Sequence, residues 1–194
     1  ALAAGHFTPT VDEDGVVRRI PLLYEFDGSY YEALALAIAR VAVGANSLSA
    51  GFPEESKAGG TYQGMEWLEL GDRRIPVDAS VRALVPYRGP QGSFTYVSAT
   101  DVLNGKASRD QFEGRIVLVG TSAPGLLDLR STPVQSPYPG VEVHANLVAG
   151  ILDGTILQDP EFTHGANAIV LVLFGLVLTF CVPIVRPLTA TIAT

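Results

Sequence analysis

The chain has a single cysteine, Cys181, and it lies inside an apolar run. No disulfide can form within the chain, and no zinc site of the cysteine type is available. Positive charge is scarce: thirteen Lys and Arg stand against twenty Asp and Glu, for a net charge of -7. That balance argues against nucleic acid or an anionic lipid surface as the main partner, since both attract a surplus of Lys and Arg. Residues 1–5 carry no basic segment or cleavage site, so they are not a signal peptide, and export is expected to depend on something upstream. There is no Gly-Lys-Ser phosphate loop, no internal repeat and no low-complexity tract.

Charge is missing altogether from residues 166–185, which read AIVLVLFGLVLTFCVPIV after the first two positions. Wound as a helix, about twenty apolar residues match the roughly 30 Å hydrocarbon core of a bilayer. A core helix would show a polar stripe at the 3.6-residue period, yet only Asn167 and Thr179 interrupt this run. A transmembrane helix is therefore expected at 164–186. Asp153, Asp159 and Glu161 precede it and Arg186 follows, which orients residues 1–160 outside the cytoplasm. Residues 187–194 are read as a cytoplasmic turn and the start of a second span, so the chain is expected to be a piece of a longer protein. The expected location is the inner membrane, with the soluble domain outside.

The remaining sequence alternates strand and helix signals. Residues 8–11, an Asp12-Glu13-Asp14-Gly15 turn and residues 16–26 predict a hairpin, because Asp-Gly supplies the positive φ of a tight turn. Residues 31–43 predict a helix with Leu34, Ile38 and Val41 on its apolar face, ended by Gly44. Residues 45–61 predict a loop, 65–70 and 73–77 a second hairpin, 81–87 a strand, and 98–103 a short helix closed by Asn104-Gly105. RIVLVG at 115–120 is a continuous β-branched run, expected to be a strand buried on both faces of a partly parallel sheet. Residues 141–152 predict a helix with His144, Leu147, Val148, Ile151 and Leu152 on one side. The expected fold is α/β: a mixed, partly parallel sheet flanked by helices and followed by one transmembrane helix.

Seven blocks now stand in order: Gly5-His6 to Asp12, Asp14, Gly15, Arg18 and Pro21-Leu22; Ala33-Leu34-Ala35-Leu36; Tyr87-Arg88-Gly89-Pro90; Ser98-Ala99; Asp101-Val102-Leu103 with Gly105; residues 114–120 ending in Gly120; and Gly140-Val141-Glu142-Val143-His144-Ala145-Asn146. Together they resemble a CHASE sensor domain of the second type, a cyclase- and histidine-kinase-associated sensory extracellular domain. The resemblance covers residues 4–154 and the first following membrane helix. The family's N-terminal portion, with a membrane helix and a Trp-Pro motif, has no counterpart here. The resemblance implies a sensory input domain that signals through membrane helices to a cytoplasmic nucleotide cyclase, histidine kinase or serine/threonine kinase. It also implies a homodimeric receptor, no catalysis by this chain, no cofactor, and an unidentified small-molecule or protein signal.

In an open α/β sheet a ligand settles where loops leave the carboxyl ends of strands. The loop after residue 120 occupies that place, so Thr121, Ser122, Asp128, Arg130 and Thr132 are the candidate ligand-binding residues. The competing reading is a connection whose hydroxyls satisfy backbone groups. Asp12 and Asp14 are read as a turn rather than a calcium loop, which would need further oxygen ligands. Of Arg18 and Arg19, one is expected to face solvent and the other to pair with Asp14. His144 beside Glu142 and Asn146 is read as a hydrogen-bonded core residue rather than a base or metal ligand. His6 and His164 have no metal spacing. Two alternatives remain open: a membrane-anchored hydrolase using Ser122 or Ser131 with His144 and Asp128, and a module that only dimerises.

Overall fold

The computed structural model describes residues 2–53, 64–122, 128–158 and 162–192, the last of these as backbone alone at 162–164 and 182–192. Parts of the 45–61 loop, the 120–125 loop, the residues before the apolar helix and the last two positions lie outside the described residues. Two units result, Ala1–Gln158 and Asp159–Thr194.

In the first unit, the Asp12–Gly15 turn forms as the sequence predicts. Gly15 N–H donates to the Asp12 carbonyl at 2.9 Å and adopts φ +81°. Thr10 bridges Arg19 across the turn, and β1 (Arg19–Pro21) follows. Beyond it β2 (Leu23–Phe26) and β3 (Ser29–Glu32) form an antiparallel hairpin, then α1 (Leu34–Ala42) begins. β4 (Ser49–Gly51), β5 (Trp67–Leu70) and β6 (Arg73–Pro76) make a three-stranded antiparallel sheet. Its β5–β6 turn is the second expected hairpin. β7 (Arg82–Leu84) pairs with β1, α2 (Ala99–Leu103) is short, and β8 (Leu129–Arg130) pairs with β9 (Tyr138–Pro139) just before α3 (Gly140–Asp153). Gly154, at φ +67°, ends α3 with a left-handed residue.

The core lies between α1, α3 and the strands: Ile20, Leu22, Leu36, Leu70, Ile75, Leu147 and Ile151 are all buried there. Three expectations need correction. The fold is mixed α/β, but its ladders are antiparallel, and among the described residues parallel pairing survives only as single bridges, His6 with Ala33 and Val16 with Ser131. The run at 115–120 joins no ladder among the described residues, and Ile116, Val117 and Val119 are exposed. Its β-branched pattern signals a strand suited to burial, whereas a strand forms only where another strand pairs with at least one of its edges. In α1 the buried face carries Ala35, Leu36 and Ala39, while Val41 is exposed. Small alanines let this helix lie close to its neighbours, which leaves the bulkier Leu34 and Ile38 at the margin.

The second unit is one helix, α4 (Phe162–Ile192), 31 residues long. It continues through Pro187, where a turn was expected. Among the described residues no helix is long and apolar enough to cross a membrane, so the fold does not itself establish the expected span.

Candidate functional site

The first two turns of α3 gather most of the residues that the sequence singled out. Asn146 is fully buried. Its carbonyl oxygen accepts the Arg88 N–H at 2.9 Å, and its amide donates to the Tyr138 hydroxyl at 2.9 Å and to the Glu142 carbonyl at 2.8 Å. One turn earlier, the buried Glu142 carboxylate accepts the Gly92 N–H at 3.1 Å and the Tyr96 hydroxyl at 2.6 Å. Glu142 and Asn146 stand four apart, so one helix face presents both groups to the same loop. Residues 87–96 are thereby strapped to α3. Arg88 also pairs with Asp153 and lies 5.2 Å from the Phe94 ring centroid, while Tyr87 donates to the Val17 carbonyl at 2.8 Å. Burial pushes the Tyr96 phenol well above its ordinary range, and the Glu142 carboxylate adds to the effect. Tyr138 is raised for the same first reason, against the opposing bond from Asn146.

On its other side, α3 borders a small cleft lined by Phe7, Pro9, Ile20, Asp128, Arg130, Gly140, Val143 and His144. Its volume is about 10 Å³, room for one water-sized group. Arg130 and Asp128 form an ion pair at 3.2 Å on its wall. Gly140 is required there: a Cβ would lie 2.3 Å from the Asp128 carboxylate, and the Gly140 N–H donates to the Asp128 carbonyl at 2.8 Å. Nδ1 of His144 is buried without a partner. Burial lowers its pKa, Asp128 opposes that shift, and His6 and Arg130 reinforce it.

Of the five candidate ligand residues, the structure brings Asp128 and Arg130 to this cleft together with His144. Thr121 and Ser122 are exposed and do not line it. Gly120, just before them, packs on α3, where a Cβ would lie 2.5 Å from Val141. Thr132 is buried and closes a turn, donating to the Gln135 carbonyl at 2.8 Å, which is the backbone-satisfying role weighed above. Asp101 sits in α2, its carbonyl accepting from Lys106 at 2.8 Å. Gly89 and Pro90 lie in the strapped loop. His144 needs a correction, since it borders a cleft with one nitrogen unbonded rather than sitting satisfied in the core.

Arg18 bonds both Asp12, at 2.9 Å, and Asp14, at 2.9 and 2.7 Å, so the turn spends its carboxylates on a guanidinium. That bond holds the Asp14 carboxyl down at about 2, from 3.8. Its contribution to the fold is present above the unfolded value and is lost as pH falls through the folded one. We expect an NMR titration to place Asp14 near that value in the wild type and higher in Arg18→Gln, where the Val16 N–H bond still lowers it. Equal values in both would remove the pairing as the cause. Among the described residues no group of three or more His, Cys, Asp or Glu is placed to hold a metal ion.

Sequence reasoning missed Glu142, Tyr96, Tyr138 and His6 as members of these two clusters. The i, i+4 spacing of Glu142 and Asn146 on an otherwise apolar helix was the available signal.

A buried polar strap and a small charged cleft on one helix define a scaffold for recognition and positioning. The model of the CHASE2 domain matches residues 1–182, and the chain belongs to that family of extracellular sensory domains of receptors. No curated protein and no solved structure is significantly similar to the chain.

Proposed function

We propose that this chain is the sensory input part of a bacterial membrane receptor, lying outside the cytoplasm and signalling through residues 166–185 as a membrane span. The observation that carries the reading is the family match over residues 1–182. The sequence supports the span: residues 166–185 are uncharged, and about twenty residues at 1.5 Å each match the roughly 30 Å of a hydrocarbon core. Ile169, Leu171, Leu173, Phe174, Val177 and Phe180 are exposed on several sides of α4. A helix apolar all round needs apolar surroundings.

In this reading α3 is the sensing element, since it borders the cleft, carries the strap and precedes α4 in sequence. A small-molecule signal has to open a cleft of about 10 Å³ to enter, displacing the Asp128–Arg130 pair. The output is a cytoplasmic cyclase or a histidine or serine/threonine kinase, held as a homodimer. Neither Ser122 nor Ser131 lines the cleft beside His144 and Asp128, which favours a receptor over a hydrolase.

The test is topological. With Cys181 replaced by serine, a membrane-impermeant maleimide is applied to intact cells carrying Ser122→Cys or Thr194→Cys. Labelling of position 122 alone, with 194 reached only after permeabilisation, is expected. Labelling of both positions, or of neither until permeabilisation, sinks the proposed orientation.

A further inference from the structure

We propose that His6 and His144 form a proton-sensitive latch, which holds residues 2–10 against α3 and β2 while both rings are neutral and releases that segment when they charge. The device is a property of this fold and stands whether or not the domain signals to a receptor output.

The latch begins with how firmly the main chain fixes His6. Its N–H donates to the Glu32 carbonyl at 2.9 Å, and its own carbonyl accepts the Leu34 N–H at 2.7 Å. Beside it, a Cβ on Gly5 would lie 2.7 Å from the Leu34 Cα, so the segment presses directly on the backbone at the start of α1. These contacts fix the main chain from which the imidazole projects. It packs tilted on Tyr24 with ring centroids 5.8 Å apart, and both of its nitrogens are buried with no hydrogen-bond partner. Nδ1 of His144 is in the same condition, and His144 lines the cleft together with Phe7 and Pro9 of the same segment.

A neutral imidazole tolerates this setting better than a charged one, because an imidazolium has two N–H donors and needs acceptors for both. The surrounding groups offer few. From β3, the Glu32 carboxylate is engaged by Arg40 at 2.9 Å. From β2 comes the Tyr24 ring. Asp128 favours a charged His144 but is already paired with Arg130 at 3.2 Å, and Arg130 and His6 both oppose that charge. Charging both histidines also sets two like charges around one cleft. Burial accordingly lowers the pKa of each.

The sign follows. A histidine whose folded pKa lies below its unfolded value of 6.5 binds its proton more readily when the segment is released. Docking is then strongest above that value and is lost as pH falls through the lowered one. Release uncovers Ile20 and Val143, which share the cleft with Phe7 and Pro9.

Amide hydrogen exchange on the full chain in detergent micelles tests this at pH 7.5 and at about pH 5.5, with rates normalised to the intrinsic exchange of each residue. Protection of the His6 and Leu34 amides is expected to fall at the lower pH. The Val17 amide, bonded to the Ser131 carbonyl, should keep its protection. His6→Phe is expected to retain protection at pH 7.5 and to lose most of the pH dependence. Should that variant not fold, His144→Gln takes its place, with a smaller pH dependence expected. Equal protection at the two pH values, or an undiminished pH dependence in the folded variant, overturns the latch.

Discussion

Asn146→Leu is expected to destabilise the first unit by about 2–4 kcal/mol, although the new side chain is apolar and close in volume to the old. Asn146 is completely buried, and both ends of its amide are used. Leucine leaves the Arg88 N–H without its acceptor and the Tyr138 hydroxyl without its donor, and a stranded buried group costs roughly 1–3 kcal/mol. The loop loses one of its ties to α3, while the Glu142 bonds to Gly92 and Tyr96 and the Arg88–Asp153 pair remain. The single tryptophan, Trp67, lies in the first unit, so urea unfolding followed by its fluorescence reads the effect on that unit without interference from α4. A loss under about 1 kcal/mol would mean that the loop finds other partners and that the strap is dispensable.

Leu147→Ala is expected to cost more per atom removed. Leu147 is fully buried in the cluster that includes Leu36 of α1, and truncating a buried leucine typically costs about 2–5 kcal/mol in lost transfer energy and residual cavity. The contrast with Val41→Ala makes the measurement decisive. Val41 is 41% exposed, so its truncation should change stability by less than about 0.5 kcal/mol. Comparable losses at the two positions would show that α1 buries the face read from the sequence rather than the alanine face. Leu147 adjoins Asn146 in the helix, so the effects of changing both are not expected to add.

The Asp12–Gly15 turn, the β5–β6 hairpin and helices α1 and α3 were legible because their determinants are local, whereas the β2–β3 hairpin was missed, its residues 31 and 32 read as helix. Gly15 and Gly71 adopt the positive φ their turns require, Gly154 ends α3, and the apolar spacing in α3 matches the residues it buries. What failed depended on partners. The 115–120 run has the composition of an interior strand, yet no residue within that run reveals whether another strand lies beside it. The apolar face of α1 was misread because alanine carries little hydrophobic weight in a periodic pattern, while its small volume is what close helix packing uses.

The site was legible in part for the same reason. Asp128 and Arg130 are two residues apart, one just before β8 and one in it, and both line the cleft, as a local reading allows. Thr121 and Ser122 looked equally suitable in sequence, but neither lines that cleft. Glu142 meets its partners Gly92 and Tyr96 across 50 and 46 residues of chain, and Asn146 meets Arg88 across 58. Contacts of that separation arise only after the chain has folded back on itself, so no spacing rule announces them. His6 was set aside for lack of a metal-like spacing, although its relevant neighbour lies in α3.

The fit between Gly140 and Asp128 sets the order in which this protein can change over evolutionary time. With a Cβ at residue 140 placed 2.3 Å from the carboxylate, alanine there makes the Asp128 side chain shift from its place beside Arg130 unless residue 128 has first become smaller. The reverse order passes through a strained intermediate. A smaller residue 128 leaves Arg130 without this partner, so the first step loosens the cleft before the helix gains any helical propensity. Lineages are therefore expected to keep or exchange the pair together, and a lone substitution at residue 140 should survive only where stability is in surplus.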